Sequence, residues 1–550
     1  MINDESSWIF FIRYPLFFLS ILFQSCQSGP GNTPPNIILI LADDMGYSDI
    51  GFFGSEIPTP NIDFLAENGL VITQFYNASR CCPTRASLLT GLYPHQAGMG
   101  DMVEGRLLRD STFLPAYQGW LNKNTPTIAE ELKKAGYQTF ISGKWHVGDA
   151  PEHWPDQRGF DRSFSLINGA SNYFNLSPWI NEQQDIILTL DGKRTGTDDD
   201  FYMTTAITGH ALDFIRHRDK DRPFFLYLSF TAPHWPLHAL PEDVKRFEGK
   251  YLEGWERIRS KRFARQIEDK LFQENTLLSH PFYSNPLLTP SWDSLPELDQ
   301  KIWDKRMAVY AAQVYRMDRE IGRIIKNLTE IGILKNTLVI FLSDNGATQA
   351  AIYLAKNWVA SRSGEIGSAE SFDAYGASWA NASNTPFRLF KHWTTEGGIA
   401  TPFIAFWPAR IKAGLEREQY GHVMDLLPTC MEAAGITAAR NEKGKIPLAG
   451  KSLFPLFSGK TLPGERTIFW EHQGNWAVRR GDWKLVFTRE VNRKMINDLN
   501  LYNIRSDRSE ANDLSNLYPE IVYELDSLYQ IWADQTGVEP WDSLILARNL

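Results

Sequence analysis

The sequence predicts an α/β protein whose large, mixed but mostly parallel sheet is flanked by helices, followed by a smaller α+β unit at the carboxyl end. Two runs that are apolar on both faces, Asn36–Leu41 and Thr337–Leu342, are typical of central parallel strands covered by helices. Helical stretches alternate with these runs, as in βαβ units. After about Phe457, strand-like pieces joined by a tight turn and followed by one helix predict a small antiparallel sheet.

The remaining elements follow in chain order. Asp221–Phe230 and Thr401–Trp407 are further strand candidates. The charged and then Pro-rich stretch 241–298 is interpreted as an insertion beside the strand that ends at Phe230. The predicted helices are Thr127–Ala135, Met203–His217, Lys301–Ile331 and Leu517–Thr536, and the predicted strands of the carboxyl-terminal unit are Thr467–His472, Asn475–Arg480 and Trp483–Thr488.

Length and composition indicate a globular protein of more than one unit. The chain has 550 residues, which at roughly 100–200 residues per domain exceeds one small domain. We predict a main domain over residues 30–460 and a subdomain over 461–550. Hydrophobic residues make up 43% and charged residues 22%, which excludes general disorder. The net charge of −9 argues against a nucleic-acid partner, and four cysteines are too few for a disulfide framework.

Residues 1–26 are predicted to be a signal peptide. The apolar run Leu16–Phe23 is too short to cross a bilayer as a mature helix but fits the central region of an export signal. Cys26 follows it in a loose lipobox and is a candidate for lipidation, whereas the alternative is cleavage near Ser25 or Gly29. In a bacterium we therefore expect an exported protein, periplasmic, extracellular or held at the outer membrane through a lipid anchor alone.

Acidic side chains follow both central strands. Asp43 and Asp44 come directly after the first strand, and Asp344 and Asn345 follow the second. In open α/β sheets, ligands bind beyond the carboxyl ends of the strands. Three carboxylates and an amide make an oxygen-only site, which suits Ca²⁺, suits Mg²⁺ less well and disfavours Zn²⁺. The alternative interpretation is that each pair caps the helix that follows it.

The segment from Cys81 to Gly91 predicts a helix whose first turn binds an anion. Pro83 fits the first turn of a helix, because the N–H that it lacks has no partner there. Cys81 would then lie at the amino end of the helix, with Arg85 one turn further along the same face. Free N–H groups, the helix dipole and a guanidinium favour an anion at this point. They equally favour a thiolate nucleophile, which keeps a plain catalytic cysteine as an alternative.

With Cys81, Pro83, Arg85 and the later Thr90-Gly91, the sequence resembles the formylglycine-dependent sulfatases, most closely the bacterial arylsulfatases. The resemblance implies an alkaline-phosphatase-like sulfatase fold. It also implies that a separate maturation enzyme oxidises Cys81 to formylglycine before folding is complete. Cys82 falls on a variable position of the signature.

The resemblance extends beyond this signature, from about Asn36 to the carboxyl-terminal unit. Gly143–Gly148, Ala232–Pro236 and Phe390–Gly398 resemble three further segments of the family. They imply that Lys144, His146, His234 and Lys391 act in catalysis together with Cys81 and Arg85. The implied Ca²⁺ ligands are Asp43, Asp44, Cys81, Asp344 and Asn345.

The family mechanism implies a role for each residue. One hydroxyl of the hydrated aldehyde at position 81 attacks sulfur, while Arg85, Lys144 and Lys391 hold the sulfuryl oxygens. His234, assisted by Lys391, donates a proton to the leaving alcohol. His146 removes the proton of the second hydroxyl, so that sulfate leaves and the aldehyde returns.

Two alternatives differ from this sulfuric ester hydrolase in substrate or in class. A phosphonate or phosphodiester hydrolase of the same superfamily would use the same groups, although phosphate monoesters often require two metal ions. A sulfated-glycan binding protein would keep Cys81 unmodified. The expected substrate is an aryl, alkyl or carbohydrate sulfate, and the motifs predict neither the regiochemistry nor the oligomeric state.

Overall fold

A computed structural model of the chain provides the coordinates. Pro35–Leu550 form one compact unit. The predicted signal peptide, with Cys26, lies outside the described residues, and the division at residue 460 stays a prediction. Among the described residues no helix combines the length and apolarity needed to span a membrane. The described residues are 33–105, 114–179, 184–280, 290–352, 364–436, 446–491 and 494–548.

The strands of the described residues form three sheets. Several neighbouring strands are joined by only one or two residues, and the last strand is the longest. In chain order the described strands are β1 (Asn36–Ala42), β2 (Leu70–Ile72), β3 (Phe75–Tyr76), β4 (Gln138–Lys144), β5 (Arg162–Leu166), β6 (Leu188–Leu190), β7 (Lys193–Arg194), β8 (Phe224–Ser229), β9 (Thr337–Ser343), β10 (Ala400–Thr401), β11 (Phe403–Phe406), β12 (Leu415–Arg417), β13 (Gly421–His422), β14 (Thr467–His472), β15 (Asn475–Arg480), β16 (Trp483–Val491) and β17 (Lys494–Asn503).

The large sheet is mixed, with a parallel centre, as predicted. Its order is β12-β2-β11-β9-β1-β8-β4-β5-β6-β7, and the five strands from β9 to β5 are mutually parallel. The run predicted over Thr401–Trp407 forms β11, which is antiparallel to β9. In β1, Ala42 lies opposite Ser343 of β9, and Leu41 lies opposite Ser229 of β8. The carboxyl ends of these three strands therefore meet at one edge.

Helices cover both faces of this sheet. Ile38 and Ile40 of β1 belong to one hydrophobic core, and Ile37 and Leu39 belong to a second one. Alternating side chains of a strand point to opposite faces, so that a strand apolar throughout is buried on both sides. The described helices are α1 (Pro60–Glu67), α2 (Cys81–Thr90), α3 (Pro94–Ala97), α4 (Ile128–Lys134), α5 (Met203–His217), α6 (Pro241–Val244), α7 (Trp255–Glu268), α8 (Glu297–Glu330), α9 (Gly376–Ser383), α10 (Glu396–Ile399), α11 (Leu426–Ala433), α12 (Phe454–Phe457), α13 (Pro519–Thr536) and α14 (Trp541–Arg548).

The carboxyl-terminal unit is an antiparallel sheet in the order β14-β15-β16-β17, with α13 packed on it. Trp476 of β15 stacks on Tyr529 of α13 at 4.1 Å between ring centroids. The predicted antiparallel sheet and the helix that follows it are thereby confirmed, and a second helix, α14, comes after α13. The fourth strand, β17, was not predicted, because its sequence contains four Asn and Asp residues, which are typical of turns.

Candidate active site

The acidic residues that follow β1 and β9 lie together at the sheet edge. The amide of Asp44 donates a hydrogen bond to Asp344 Oδ1 at 3.1 Å, and Asn345 Nδ2 donates to Asp44 Oδ1 at 2.7 Å. Asp43 completes the group, and all four residues have no exposed surface. Because β1 and β9 are parallel and in register, the two sequence segments end at the same point.

Helix α2 brings Cys81 to this edge. Cys81 is its first residue, and Pro83 lies in its first turn. The Cys81 sulfur, a carboxylate oxygen each of Asp43 and Asp44, and a ring nitrogen of His234 all lie within 4.8 Å of one another. The first turn of the helix thus faces the acidic group rather than solvent.

Three cations are interleaved with the carboxylates. Lys144, at the end of β4, places Nζ 2.7 Å from Asp43 Oδ2, and Lys391 Nζ is 2.6 Å from Asp44 Oδ1. Arg85 Nη2 is 2.8 Å from Asp344 Oδ2. All three side chains are buried. Arg85 Nη2 lies in addition 3.6 Å from Asp43 Oδ1. All three cations interact electrostatically with residue 81.

Arg85 is fixed further by neighbours that the sequence analysis missed. Its Nη1 donates to Ser229 Oγ at 2.6 Å and to the Lys144 carbonyl at 3.2 Å. Tyr227 OH is 3.5 Å away. Ser229 ends β8, so its position at the carboxyl edge of a predicted strand was the available signal.

The cations change the acidity of the Cys81 thiol. Burial alone would raise the pKa of Cys81, but the charges of Lys144 and Lys391 lower this pKa well below its ordinary value. Burial likewise opposes the charge of Lys144, yet Asp43 raises the pKa of Lys144. Asp344 differs, because burial and the neighbouring Asp43 hold its pKa well above its ordinary value. The site therefore favours an anion at position 81.

The two histidines from the matched segments lie on different sides of residue 81. His234 Nε2 is 3.3 Å from Asp44 Oδ2 and 3.5 Å from Lys391 Nζ. His146 adopts a left-handed backbone conformation with φ 55°, which is uncommon for a residue with a side chain. Its Nδ1 is buried and has no hydrogen-bond partner.

Three buried oxygens of the acidic group accept no hydrogen bond. They are Asp43 Oδ1, Asp44 Oδ2 and Asn345 Oδ1. Asp43 Oδ1 has only a charged contact with Arg85 Nη2 at 3.6 Å, and Asp44 Oδ2 has one with His234 Nε2 at 3.3 Å. Buried carboxylate and amide oxygens are costly without hydrogen bonds, and they are the ligands that Ca²⁺ and Mg²⁺ prefer. The donor set at this edge therefore fits a hard divalent cation.

Three histidines outside the site have structural partners. His95 pairs with Glu471 at 2.9 Å, and His153 stacks on Trp120. His238 lies 2.5 Å from the Ser371 carbonyl. Their surroundings agree with a role in packing.

Comparisons with known proteins support the same assignment of fold. The sulfatase family model matches residues 35–436. An uncharacterized sulfatase from Schizosaccharomyces pombe is 35% identical and covers 94% of this chain and 96% of its own length. An arylsulfatase from Klebsiella aerogenes is 37% identical over 78% of this chain and 92% of its own length. The crystal structure of Ps i-CgsB, also solved with k-i-k-neocarrahexaose, has a TM-score of 0.66 at 27% identity over 91% of this chain and 93% of that chain.

The matched residues span the parallel sheet, helix α2 and the segment that carries Lys391. On these grounds the chain belongs to the sulfatase family, and its enzymatic activity is that of a sulfatase.

Proposed function

We propose that the protein hydrolyses sulfate monoesters through a formylglycine made from Cys81 and a Ca²⁺ ion bound beside it. The observation that carries this proposal is the convergence of Cys81, buried carboxylate oxygens that accept no hydrogen bond, and three buried cations at one sheet edge. A sulfate monoester carries one negative charge, and its cleavage places charge on the bridging and peripheral oxygens. The arrangement offers positive groups where that charge develops.

The metal would be held by Asp43, Asp44, Asp344, Asn345 and the side chain at position 81. The oxygen-rich donor set favours Ca²⁺ over Mg²⁺, which demands stricter octahedral geometry. Bound there, the ion supplies Lewis acidity and neutralises charge on the sulfuryl group.

Arg85, Lys144 and Lys391 then bind the sulfuryl oxygens. Arg85 is anchored by Asp344 and Ser229, so it reaches the substrate as a fixed positive group. Lys144 and Lys391 remain protonated at neutral pH, because neighbouring carboxylates raise the pKa of both lysines. Fixed charges in a buried site stabilise a transition state without reorganising at the moment of reaction.

His234 and His146 move the protons. His234, with Lys391 at 3.5 Å from its Nε2, donates a proton to the leaving alcohol. His146 accepts a proton on the other side of residue 81, and Glu104 Oε1 at 3.1 Å from its Nε2 stabilises the imidazolium that forms. The aldehyde hydrate supplies one hydroxyl that attacks sulfur and a second whose deprotonation releases sulfate, which a plain serine or cysteine lacks.

Two measurements on active protein test this proposal. Mass spectrometry of the peptide around residue 81 should find the aldehyde in place of the thiol. Rates with sulfate, phosphodiester and phosphonate esters of one phenol should favour the sulfate. An unmodified thiol in fully active protein would refute the formylglycine, and preference for a phosphorus ester would assign the site to a phosphonate or phosphodiester hydrolase.

Variants provide matched controls. Cys81→Ala removes the modified side chain and should abolish turnover, whereas Cys430→Ala removes another buried thiol, in α11, and should leave turnover intact. If Cys81→Ala binds sulfated glycans as well as the parent does and neither protein hydrolyses them, the protein is a binding protein. Rates should be compared across aryl, alkyl and carbohydrate sulfates, because the relatives include an arylsulfatase and an N-acetylgalactosamine-6-sulfatase.

We also propose that the protein is exported and that Cys26 is either lipidated or removed with the signal peptide. The support is the apolar run Leu16–Phe23 with its following Ser25-Cys26. The intact mass of the mature protein distinguishes the outcomes. A mature chain that still begins at Met1 in the cytoplasm would refute export.

A further inference from the structure

A second group of donor atoms lies beside residue 81, on the side of His146. Cys82 Sγ is 3.3 Å from His146 Nε2, and Glu104 Oε1 is 3.1 Å from the same nitrogen. The donor atoms of the three residues all lie within 4.8 Å of one another. A single proton on Nε2 can satisfy only one of the two contacts at a time.

The distances are close to those of a tetrahedral zinc site. With Zn–S at about 2.3 Å and Zn–N or Zn–O at about 2.0–2.1 Å, tetrahedral angles separate sulfur from nitrogen by about 3.6 Å and nitrogen from oxygen by about 3.4 Å. The observed 3.3 Å and 3.1 Å are shorter by about 0.3 Å. An ion therefore enters if the three side chains move outward by a few tenths of an ångström.

The donor set distinguishes this group from the acidic group at the sheet edge. A thiolate and an imidazole with one carboxylate suit Zn²⁺, whereas hard cations such as Ca²⁺ select oxygen ligands. Helix α2 carries Cys82 as well as Cys81, whereas His146 follows β4 and Glu104 lies in the short 3₁₀ turn Val103–Gly105. The group of Cys82, Glu104 and His146 therefore favours Zn²⁺, whereas the acidic group favours Ca²⁺.

The three residues differ in burial, which gives the site two fixed ligands and one ligand that solvent can reach. The side chain of His146 is 3% exposed and Cys82 is fully buried, whereas the side chain of Glu104 is 62% exposed. Gly169 packs against the imidazole, and a Cβ there would lie 2.4 Å from His146 Cε1. An ion arriving from solvent would therefore meet Glu104 first, and three protein ligands would leave the fourth position to water.

We propose that Cys82, Glu104 and His146 form a Zn²⁺ site whose occupation inhibits the enzyme by withdrawing His146 from proton transfer. On binding, a Zn–S bond forms and the Cys82 thiol releases its proton to solvent, with no change of oxidation state. The binding rests on geometry alone. The inhibition rests on the proposed function, in which His146 acts as a base.

Direct metal binding tests the first half without any activity measurement. In the full-length variant Cys81→Ala, with excess Ca²⁺ to fill the oxygen site, we expect one Zn²⁺ per chain and, with Co²⁺, a thiolate-to-metal absorption band. Cys81→Ala/Cys82→Ala should lose the band. Cys81→Ala/Cys430→Ala should keep it, because burial raises the pKa of the Cys430 thiol to about 12. A band that persists without Cys82, or is absent with it, overturns the site.

Inhibition of the mature enzyme tests the second half. The Zn²⁺ concentration that halves the rate should rise at least about tenfold in Glu104→Gln, since even outer-shell changes at metal sites cost about 10–100-fold in affinity. Each variant is compared with its own rate without Zn²⁺, and Glu104 is exposed, so folding is not at stake. An unchanged half-inhibiting concentration refutes the inhibition. Zinc binding in a protein without sulfatase activity would instead refute the proposed function and leave the site standing.

Discussion

Gly169 sets the position of His146, and its replacement is the most direct test of the proposed proton transfer. A Cβ at residue 169 would lie 2.4 Å from His146 Cε1 and 2.6 Å from Nε2, whereas ordinary contacts begin at 3.4 Å. The imidazole must therefore retreat by about 1 Å. Gly169 has no left-handed φ, so the effect of alanine is steric rather than conformational.

A displacement of about 1 Å in a catalytic group costs on the order of 100-fold in rate. We therefore expect Gly169→Ala to lower kcat/KM about 100-fold, equivalent to about 2.7 kcal/mol of transition-state stabilisation. The assay is steady-state hydrolysis of an aryl sulfate by protein whose residue 81 is fully converted, with thermal unfolding measured in parallel.

Gly209→Ala is the matched control. Gly209 lies inside α5, and nothing lies within 4 Å of a Cβ built there. Alanine should raise the free energy of unfolding by about 1 kcal/mol and leave kcat/KM unchanged. If Gly169→Ala is folded and as active as the parent, His146 is not the base, and the proposed division of proton transfer between the two histidines is wrong.

Three further predictions concern ions and stability. Lys484→Met should lower the free energy of unfolding by about 3–5 kcal/mol in urea titrations, because it leaves the buried carboxylates of Glu396 and Glu510 without the ammonium group that contacts each of them at 2.8 Å. Lys484→Arg keeps the charge and should recover part of this loss, and equal losses in both variants would count against a charge effect. Burial lowers the pKa of His238 to about 4, whereas a histidine in the unfolded chain has a pKa of about 6.5. The unfolded chain therefore binds the proton more readily, and about 3 kcal/mol of the free energy of unfolding should be lost as the pH falls from 6.5 to 4. His238→Gln should flatten this dependence of stability on pH, and an unchanged dependence would show that His238 is not its source. Chelation of Ca²⁺ should abolish activity, and it should lower Tm because a ligand at 100 times its Kd contributes about 2.7 kcal/mol to the free energy of unfolding. Added Ca²⁺ should restore both, and full activity in a chelated protein would exclude a role for the metal.

The features that sequence reasoning predicted well have local signals. An uninterrupted apolar run followed by acidic residues indicated both β1 and β9, and Pro83 indicated the start of α2. Because the carboxyl ends of parallel strands meet at one edge of a sheet, these two strands predict that Asp43 and Asp344 lie close together. The structure brings the two together through the backbone of Asp44.

What could not be predicted depends on distant contacts. Strand β4 was missed because Phe140 and Ile141 are the only large apolar residues in its sequence QTFISGK, although every residue is buried. Glu104, Gly169 and Lys484 lie in segments without a recognisable motif, and their importance arises only from the side chains packed against them. Periodicity reports which face is buried, but not which partner lies there.

The separation of the site residues along the chain has a consequence for biosynthesis. Lys391 contacts Asp44 across 347 residues, and Cys81 is only 1% exposed once they meet. At about 5–20 residues per second, a ribosome needs roughly 15–60 s to proceed from codon 81 to codon 391. If Cys81 is converted to formylglycine as proposed, the modifying enzyme would have that interval of translation before Lys391 is available to close the pocket over residue 81.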